Sequence, residues 1–565
     1  MAILNDRIRL TGPLLEKPGF TAGLFYFIVI SNNTMLRRIL NSRSKTITAA
    51  AFILSVATLA SRLLGLLREK LLAHYFGAGD VVDIYFAAFK IPDLIFLLLV
   101  SGILSSVFIP MFTNYWENKS EASAFDLANQ TLNFLVLSIF ILTVILFIFS
   151  PFLVKLIAPG FSPQKTESTL KLMRLLFLSP LLLGISNLFS FVLKSLRHFF
   201  IVSMAPILYN LGIILGIVIF YPLMGISGLV WGVILGSALH LLIQIPTLLA
   251  SGWKYRPWLS LRSSSLVKML KMTPMRSAHL LVNHLSTIVT TGIASTLAVG
   301  SVAVYNYASN LQGFAVAVFG LSFATAAFPA LASLAAKKDW KWFCVNFSST
   351  ARQIMFFLIP ASVFIFVLRA QIVRVILGSG AFDWAATIRT LDSLGWFSLS
   401  LAFQGLLLLL LRAFYALEDS KTPFWTALAA GLVNIILSFV LPRFMGVPGL
   451  ALAFSLSSLL QILLLHWALR RCLPEIKSED KNLFFSGLKI VFSSLIAGMS
   501  AYGFLYILDL FLDTHTGLGI LSQGIISGSI GILIYIIFSL LLKSPELDLM
   551  VKLINKKIRG EMVKE

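Results

Sequence analysis

Long apolar runs separated by short polar stretches make up most of this chain. The runs are about twenty residues of unbroken apolarity, the length that a helix needs to cross a bilayer. They do not alternate as barrel strands do, so membrane-spanning helices are predicted. The predicted spans are 47–66, 84–112, 130–157, 175–193, 199–220, 226–252, 277–298, 303–335, 347–376, 391–411, 422–441, 446–469, 484–511 and 519–542. The pattern therefore predicts an all-α integral membrane protein of about 14 transmembrane helices.

The first twelve runs form an internal repeat at an offset of about 220 residues. FIPMF (108–112) aligns with FPALA (328–332), and MGISGLVWG (224–232) aligns with MGVPGLALA (445–453). Two six-helix lobes follow, and because six is an even number both lobes run through the membrane in the same direction. In transporters, parallel repeats of this kind place the substrate between the lobes.

The repeat and the charged stretches together divide the chain. The predicted parts are an N-terminal extension with a basic tail (1–46), a first lobe (47–252), a linker (253–276), a second lobe (277–470), a further helix pair (471–545) and a basic tail (546–565). The linker carries six bases in a partly amphipathic stretch. This predicts a helix lying on the inner leaflet, with a solvated loop as the alternative. Residues 1–34 precede Met35 and are expected to be an extension outside the membrane domain.

Basic residues dominate the charge of the protein. The net charge is +21, although 58% of the residues are hydrophobic and only 12% are charged. Such basicity would suggest nucleic acid in a soluble protein, but here the bases lie mostly between spans. The 35–46 tail, the connections after even-numbered spans and the C-terminal tail hold 28 Lys and Arg residues, against 7 in the other connections. The positive-inside rule therefore predicts that both termini are cytoplasmic.

Charged side chains also occur inside two of the predicted spans. Arg62 lies within the first span, Arg68 and Glu69 follow it, and Lys90 lies in the second span. A charge at the bilayer centre costs roughly 2.5–3.5 kcal/mol on insertion scales. We therefore expect Arg62 to face a water-filled cavity. The alternative is that Arg62 and Arg68 extend along the helix to the lipid headgroups.

The repeat indicates that the two lobes differ in charge. At an offset of 220 residues, Lys90 falls on Asn310, so the first lobe has a cation where the second has a neutral amide. An electropositive cavity suits an anionic substrate, and guanidinium groups bind phosphate through two parallel hydrogen bonds. The alternative is that the bases pair internally with Glu69, Asp83 and Asp93.

The sequence contains no motif for catalysis or for a metal site. There is no P-loop, GxGxxG or HExxH, and the two cysteines, Cys344 and Cys472, lie far apart. An enzyme acting on polyprenyl phosphates would need clustered acids, and a cation-coupled drug exporter would need carboxylates within a lobe. We expect neither an enzyme nor an organic cofactor. Coupling to the membrane potential or to a monovalent cation is left open, with Asp392 as a candidate cation ligand and a structural role for Asp392 as the alternative.

Two stretches carry a resemblance to a known family. LASRLLGLLREKLLAHYFGAGDVVDIYFAAFKIPD (59–93) and RAFYALEDSKTP (412–423) resemble the MurJ/MviN lipid II flippases of the multidrug/oligosaccharidyl-lipid/polysaccharide exporter superfamily. The resemblance covers about 35–545. It implies two six-helix lobes arranged as a V and a last helix pair that forms a groove for the lipid tail. It also implies transfer of undecaprenyl-pyrophosphate-linked disaccharide-pentapeptide from the inner to the outer leaflet of the bacterial cytoplasmic membrane, for peptidoglycan synthesis.

The family's motif positions carry over only in part. Arg62, Arg68 and Asp83 match, whereas the basic motifs of the family are replaced here by Ile95-Phe96 and Ser309-Asn310. The predicted substrate-binding residues are Arg62, Arg68, Asp83, Lys90 and Asn310. The predicted function is lipid II flipping by alternating access, and the alternative is a flippase for another polyprenyl-diphosphate-linked oligosaccharide. We expect a monomer whose partners are lipid II and membrane lipids, and we expect no nucleic acid.

Overall fold

The predicted all-α architecture is confirmed. A computed structural model describes residues 47–101, 108–260, 266–267 and 274–548. Within these residues the secondary structure consists of helices and contains no strand. Residues 1–46 and 549–565, which cover the predicted N-terminal extension and most of the basic C-terminal tail, lie outside the described residues, as does most of the predicted linker helix after residue 260.

The helices follow the chain as two successive sets and a final pair. The first lobe comprises α1 (Ile47–Phe76), α2 (Asp80–Ile95), α3 (Ile109–Asn118), α4 (Glu121–Ile157), α5 (Pro163–Leu176), α6 (Leu178–Ser195), α7 (Phe199–Leu215), α8 (Tyr221–Met224), α9 (Ile226–Leu242) and α10 (Ile245–Ala250). The second lobe comprises α11 (Pro274–Ser295), α12 (Ser301–Ala315), α13 (Leu321–Ala336), α14 (Trp340–Val367), α15 (Arg369–Ile376), α16 (Trp384–Ser398), α17 (Leu401–Ala416), α18 (Lys421–Val440), α19 (Pro442–Met445) and α20 (Val447–Cys472). The final pair is α21 (Lys477–Asp509) and α22 (Gly517–Leu541).

Each predicted span overlaps a helix, although several helices are broken or longer than predicted. Among the described residues, 10 helices are long and apolar enough to cross a membrane, or 11 if α16 and α17 are one span bent by 45°. The predicted spans 47–66, 84–112 and 277–298 coincide with α1, with α2 and α3, and with α11, which are not among those 10. The exact count of fourteen therefore stays a prediction.

Backbone features recur at the spacing of the internal repeat. A π-helical turn follows α2 at Phe96–Ser101, and another follows α12 at Val316–Gly320. Gly225 has φ 61° and ψ −149°, and Gly446 has φ 64° and ψ −140°. Side chains other than that of glycine rarely allow this conformation. The two MG motifs thus make the same turn, which supports the repeat, while the exact lobe boundaries stay a prediction.

Facing glycines bring α7 and α9 into close contact. A Cβ atom added to Gly216 would lie 2.6 Å from the Cα atom of Gly232, and one added to Gly212 would overlap Gly236. In lipid, small residues spaced four apart allow helix backbones to pack closely and gain dispersion energy. Their spacing in the sequence predicts this contact.

The lobes are joined near one membrane face. We call the face with the connections after odd-numbered spans the odd face, and the opposite one the even face. One apolar core includes residues of both lobes, among them Leu72 on α1 and Val304 on α12, which lie near the odd face, and Phe397 on α16. A separate cluster that includes Phe343 and Phe414 fills the second lobe alone. The lobes therefore enclose a space that the odd face closes.

The final helix pair packs against the second lobe. The Tyr535 hydroxyl on α22 donates to the Phe356 carbonyl on α14 (2.8 Å). Near the odd face, the Arg374 guanidinium on α15 donates to the Thr514 carbonyl between α21 and α22 (3.0 Å). These contacts attach the pair to one lobe.

Candidate functional site

A cavity of about 480 Å³ lies between the two lobes. Its first-lobe wall is formed by α1, by the last turn of α6 and by α7, and its second-lobe wall by Asn310 and Phe314 of α12. The charged lining residues, Arg62, Arg68, Glu69 and Lys194, all belong to the first lobe. The charge difference between the lobes that the repeat suggested is therefore present in the cavity.

Arg62 lines this cavity, as its position inside an apolar run predicts. Its side chain is exposed, and it makes no ion pair or hydrogen bond within the part of the chain that the structure describes. The neighbouring turn is fixed, because the Asn210 amide on α7 donates to both the carbonyl and the hydroxyl of Ser61 (3.2 Å each). The Arg62 guanidinium, which has no acidic partner among the described residues, is therefore carried by a turn that hydrogen bonds fix, and it can bind an anion.

Arg68, Glu69 and Asn310 form a cluster at the end of the cavity nearer the odd face. The Arg68 guanidinium donates to Glu69 Oε1 (2.6 Å), and the Asn310 amide donates to the same oxygen (3.1 Å). The Glu69 side chain is only 3% exposed. Internal pairing, the alternative drawn from the sequence, thus applies to Arg68. Through Glu69 the pair also connects α1 to α12.

Lys90 is buried at the junction of the lobes and does not line the cavity. Its amino group donates to the Asn306 side chain (3.3 Å), and its carbonyl lies 2.8 Å from Nε2 of His284 on α11. The structure therefore does not bring Lys90 into contact with the cavity space in this conformation. A role for Lys90 in substrate binding stays a prediction.

Asp83 lies away from the cavity and bridges the lobes at the odd face. Its carboxylate accepts hydrogen bonds from the backbone nitrogens of Gly300 and Ala303 at the start of α12 (2.9 Å each) and from Lys165 (3.1 Å). A carboxylate is favourable there because the first turn of a helix has free N–H groups and a positive partial charge. In this conformation Asp83 is placed to hold the lobes together, and a contact with substrate stays a prediction.

Other contacts close the same face. The Tyr307 hydroxyl donates to the Gly77 carbonyl (3.2 Å), and the Ala381 nitrogen donates to the His74 carbonyl (2.8 Å). Both join α1 and its following turn to the second lobe. The odd face is thus sealed by polar contacts as well as by the apolar core.

Asp392 is half-buried on α16 and lines none of the described cavities. The described residues contain no group of three or more His, Cys, Asp or Glu side chains that could hold a metal ion. A second-lobe cavity of about 300 Å³ is lined by neutral polar residues, among them Asn283, Thr290 and Asn434. Coordination of a coupling cation by Asp392 stays a prediction.

Sequence reasoning missed Lys194. It belongs to the short KSLRH link (194–198), whose bases counted only as signals of membrane orientation. The structure shows that Lys194 is in the last turn of α6 and lines the cavity. Its place directly after the predicted span, which ends at residue 193, was the available signal.

Comparisons with known proteins agree with this architecture. The family model described as lipid II flippase MurJ matches residues 72–516. A probable lipid II flippase MurJ from Buchnera aphidicola subsp. Acyrthosiphon pisum is 30% identical over 453 residues, which are 78% of this chain and 87% of the relative. Another from Thermotoga maritima is 27% identical over 498 residues, which are 87% of this chain and 96% of the relative.

Solved structures share the fold. A lipid II flippase MurJ in an inward closed conformation superposes with a TM-score of 0.70 at 26% identity, covering 86% of this chain and 98% of that one. An inward-facing MATE multidrug transporter gives a TM-score of 0.63 at 15% identity, covering 76% and 99%, which shows likeness of fold alone. With the family match spanning most of its length, this chain belongs to the lipid II flippase MurJ family.

Proposed function

We propose that this protein moves lipid II from the inner to the outer leaflet of the bacterial cytoplasmic membrane by alternating access. The observation that carries the proposal is the cavity between the lobes, where Arg62 has no acidic partner among the described residues. Lipid II has a diphosphate between its lipid and its sugars, and a guanidinium matches phosphate oxygens in geometry and charge. Membership of the flippase family supports the same conclusion.

Orientation follows from the distribution of bases. With 28 Lys and Arg residues in the even-face connections and tails against 7 on the other side, we place the even face and both termini in the cytoplasm. The contacts of Asp83 and Tyr307 then close the periplasmic side. The headgroup reaches the cavity from the cytoplasm, and release requires these contacts to break while the lobes close at the even face.

The remaining expectations extend this mechanism. The final pair, α21 and α22, packs on α14, and we propose that the lipid tail lies along it while the headgroup is in the cavity. Transport is proposed to need no organic cofactor, to draw on the membrane potential or on a monovalent cation, and to be carried out by a monomer.

The test is substitution of Arg62. Arg62→Ala is expected to abolish growth rescue of a strain depleted of its lipid II flippase while membrane abundance stays normal. Arg62→Lys is expected to rescue only in part, since an ammonium group cannot form the bidentate pair. Lys171→Gln is a matched control, because Lys171 is exposed and pairs only with Glu167 in the described structure. Full rescue by Arg62→Ala at normal abundance would refute the anion-binding cavity.

A second candidate is a flippase for another polyprenyl-diphosphate-linked oligosaccharide. It is favoured by Ile95-Phe96 and Ser309-Asn310, where the family resemblance implies basic motifs. Growth rescue separates the two candidates: wild-type protein that inserts normally but does not replace the lipid II flippase would favour the second.

A further inference from the structure

Lys194 is a cavity-lining cation to which the proposed function assigns no role. It is half-buried in the last turn of α6, and its amino group lies 5.3 Å from the centre of the Phe191 ring. No carboxylate pairs with it within the described ranges. The helix dipole stabilises a cation in the last turn of a helix only weakly. That effect explains the helix position of the lysine and not its place in the cavity wall.

The position of Lys194 along the cavity follows from the helices beside it. It lies five residues before the start of α7 at Phe199, so it lies at the even-face end of the cavity. Arg62 lies beside Ser61, whose carbonyl accepts a hydrogen bond from Asn210 on α7. Asn210 is seven residues further from the even-face start of α7 than Ser203, which also lines the cavity. Seven helical residues span about 10 Å. Lys194 therefore lies at the even-face end of the cavity, and Arg62 lies further towards the odd face.

Among the described residues, no carboxylate pairs with Arg62 or Lys194, so both can bind an anion. Arg68 is neutralised by Glu69, and the described lining residues of the second lobe are Phe314, which is apolar, and Asn310, whose amide is bonded to Glu69. A diphosphate carries charge on two phosphate groups, so one guanidinium cannot match all of it. A flexible ammonium group suits the second phosphate, because it needs no fixed approach direction.

We propose that Lys194 is a second diphosphate-binding residue, which contacts the anion at the even-face end of the cavity while Arg62 holds it nearer the odd face. It supplies from the first lobe the charge that Asn310 does not supply from the second. This inference rests on the proposed function, and it names Lys194 as a determinant of selectivity for a diphosphate over a monophosphate. The anion then enters and is held entirely on the first-lobe wall.

The test is binding of inorganic pyrophosphate to the full-length protein in detergent, measured by calorimetry for each variant. Lys194→Gln is expected to weaken binding about tenfold, the size of one lost charged hydrogen bond. Lys194→Arg is expected to retain binding, and Lys171→Gln should bind as the wild type does. Inorganic phosphate, with one phosphate group, should lose less affinity than pyrophosphate in Lys194→Gln.

A double variant tests whether the charge can be relocated. Lys194→Asn combined with Asn310→Lys returns a cation to the cavity from the opposite lobe, and it is expected to recover part of the lost pyrophosphate affinity. If Arg62→Ala loses pyrophosphate binding while Lys194→Gln binds pyrophosphate as the wild type does, this inference is overturned and the proposed function still holds. If neither substitution weakens binding, the anion-binding cavity itself fails.

Chemical protection tests the same point in the wild-type protein. Pyrophosphate should slow reductive methylation of Lys194, followed by mass spectrometry, and should leave exposed Lys171 unchanged. Equal protection of Lys194 by vesicles of phosphatidylglycerol without pyrophosphate would instead assign Lys194 to membrane anchoring and would overturn the inference. This measurement holds even if Lys194→Gln does not fold.

Discussion

Asp83 provides a direct test of how the odd face is kept closed. Its buried carboxylate accepts hydrogen bonds from Gly300 and Ala303 of the opposite lobe and from Lys165 of its own lobe. Asp83→Asn keeps the size of the side chain, retains one acceptor oxygen and removes the ion pair. Because two of the bonds cross the lobes, we expect the substitution to weaken the closed odd face specifically.

The magnitude follows from the burial of the carboxylate, which is 2% exposed. The two bonds that cross the lobes are hydrogen bonds to a charged group, worth about 1.5–3 kcal/mol each, and the one acceptor oxygen of asparagine keeps one of them. The ion pair with Lys165 lies within the first lobe, where Lys165 also pairs with Asp80 (2.7 Å), so its loss favours neither state. At about 1.4 kcal/mol per tenfold, a cost of about 2 kcal/mol shifts the ratio of closed to open odd face by roughly thirtyfold. Lys165→Met should shift it less, since the two backbone bonds to Asp83 remain.

The assay is the distance between spin labels on the two lobes near the odd face. Gln164 and Val299 are exposed and suit Cys substitution, in a background with Cys344→Ala and Cys472→Ser. In nanodiscs without substrate, Asp83→Asn is expected to populate a longer distance that the parent lacks. Glu167→Gln, a surface carboxylate paired only with Lys171 among the described residues, is the control. A distance distribution in Asp83→Asn identical to that of the parent would refute the reasoning.

Three further predictions concern other parts of the molecule. Asn310→Arg is expected to insert normally and to pair with Glu69, and reduced membrane abundance would contradict this. Gly225→Ala and Gly446→Ala should each lower Tm in detergent, because each places about 1–3 kcal/mol of strain in the backbone. No atom lies within 4 Å of either added methyl group, so the strain alone is the cause. An unchanged Tm for both variants would contradict this prediction. A cysteine at position 260, in place of Ser260, should not react with a membrane-impermeant label added outside intact cells. Labelling of that cysteine would contradict the predicted orientation.

The sequence alone was sufficient for the helices and for several of the close contacts. Apolar runs of bilayer length define spanning helices because the backbone must satisfy its own hydrogen bonds in lipid. The glycine spacing in α7 and α9 predicted their close packing, and the repeat aligned the two MG motifs, which the structure shows to make equivalent turns. An arginine within an apolar run indicated a cavity, because lipid excludes an unpaired charge.

Only the tertiary structure decided which charges are available in that cavity. Arg68 and Arg62 look alike in the sequence, yet Arg68 is neutralised by Glu69, which in turn accepts from Asn310, 241 residues further along the chain. Asp83 matches a family motif position, but its contacts with the start of α12 form only when the lobes meet. In the sequence Lys194 is one base of the KSLRH connection, and only the structure shows that it lines the cavity. Local sequence reports the environment of one helix, whereas pairing depends on which faces of distant helices come together.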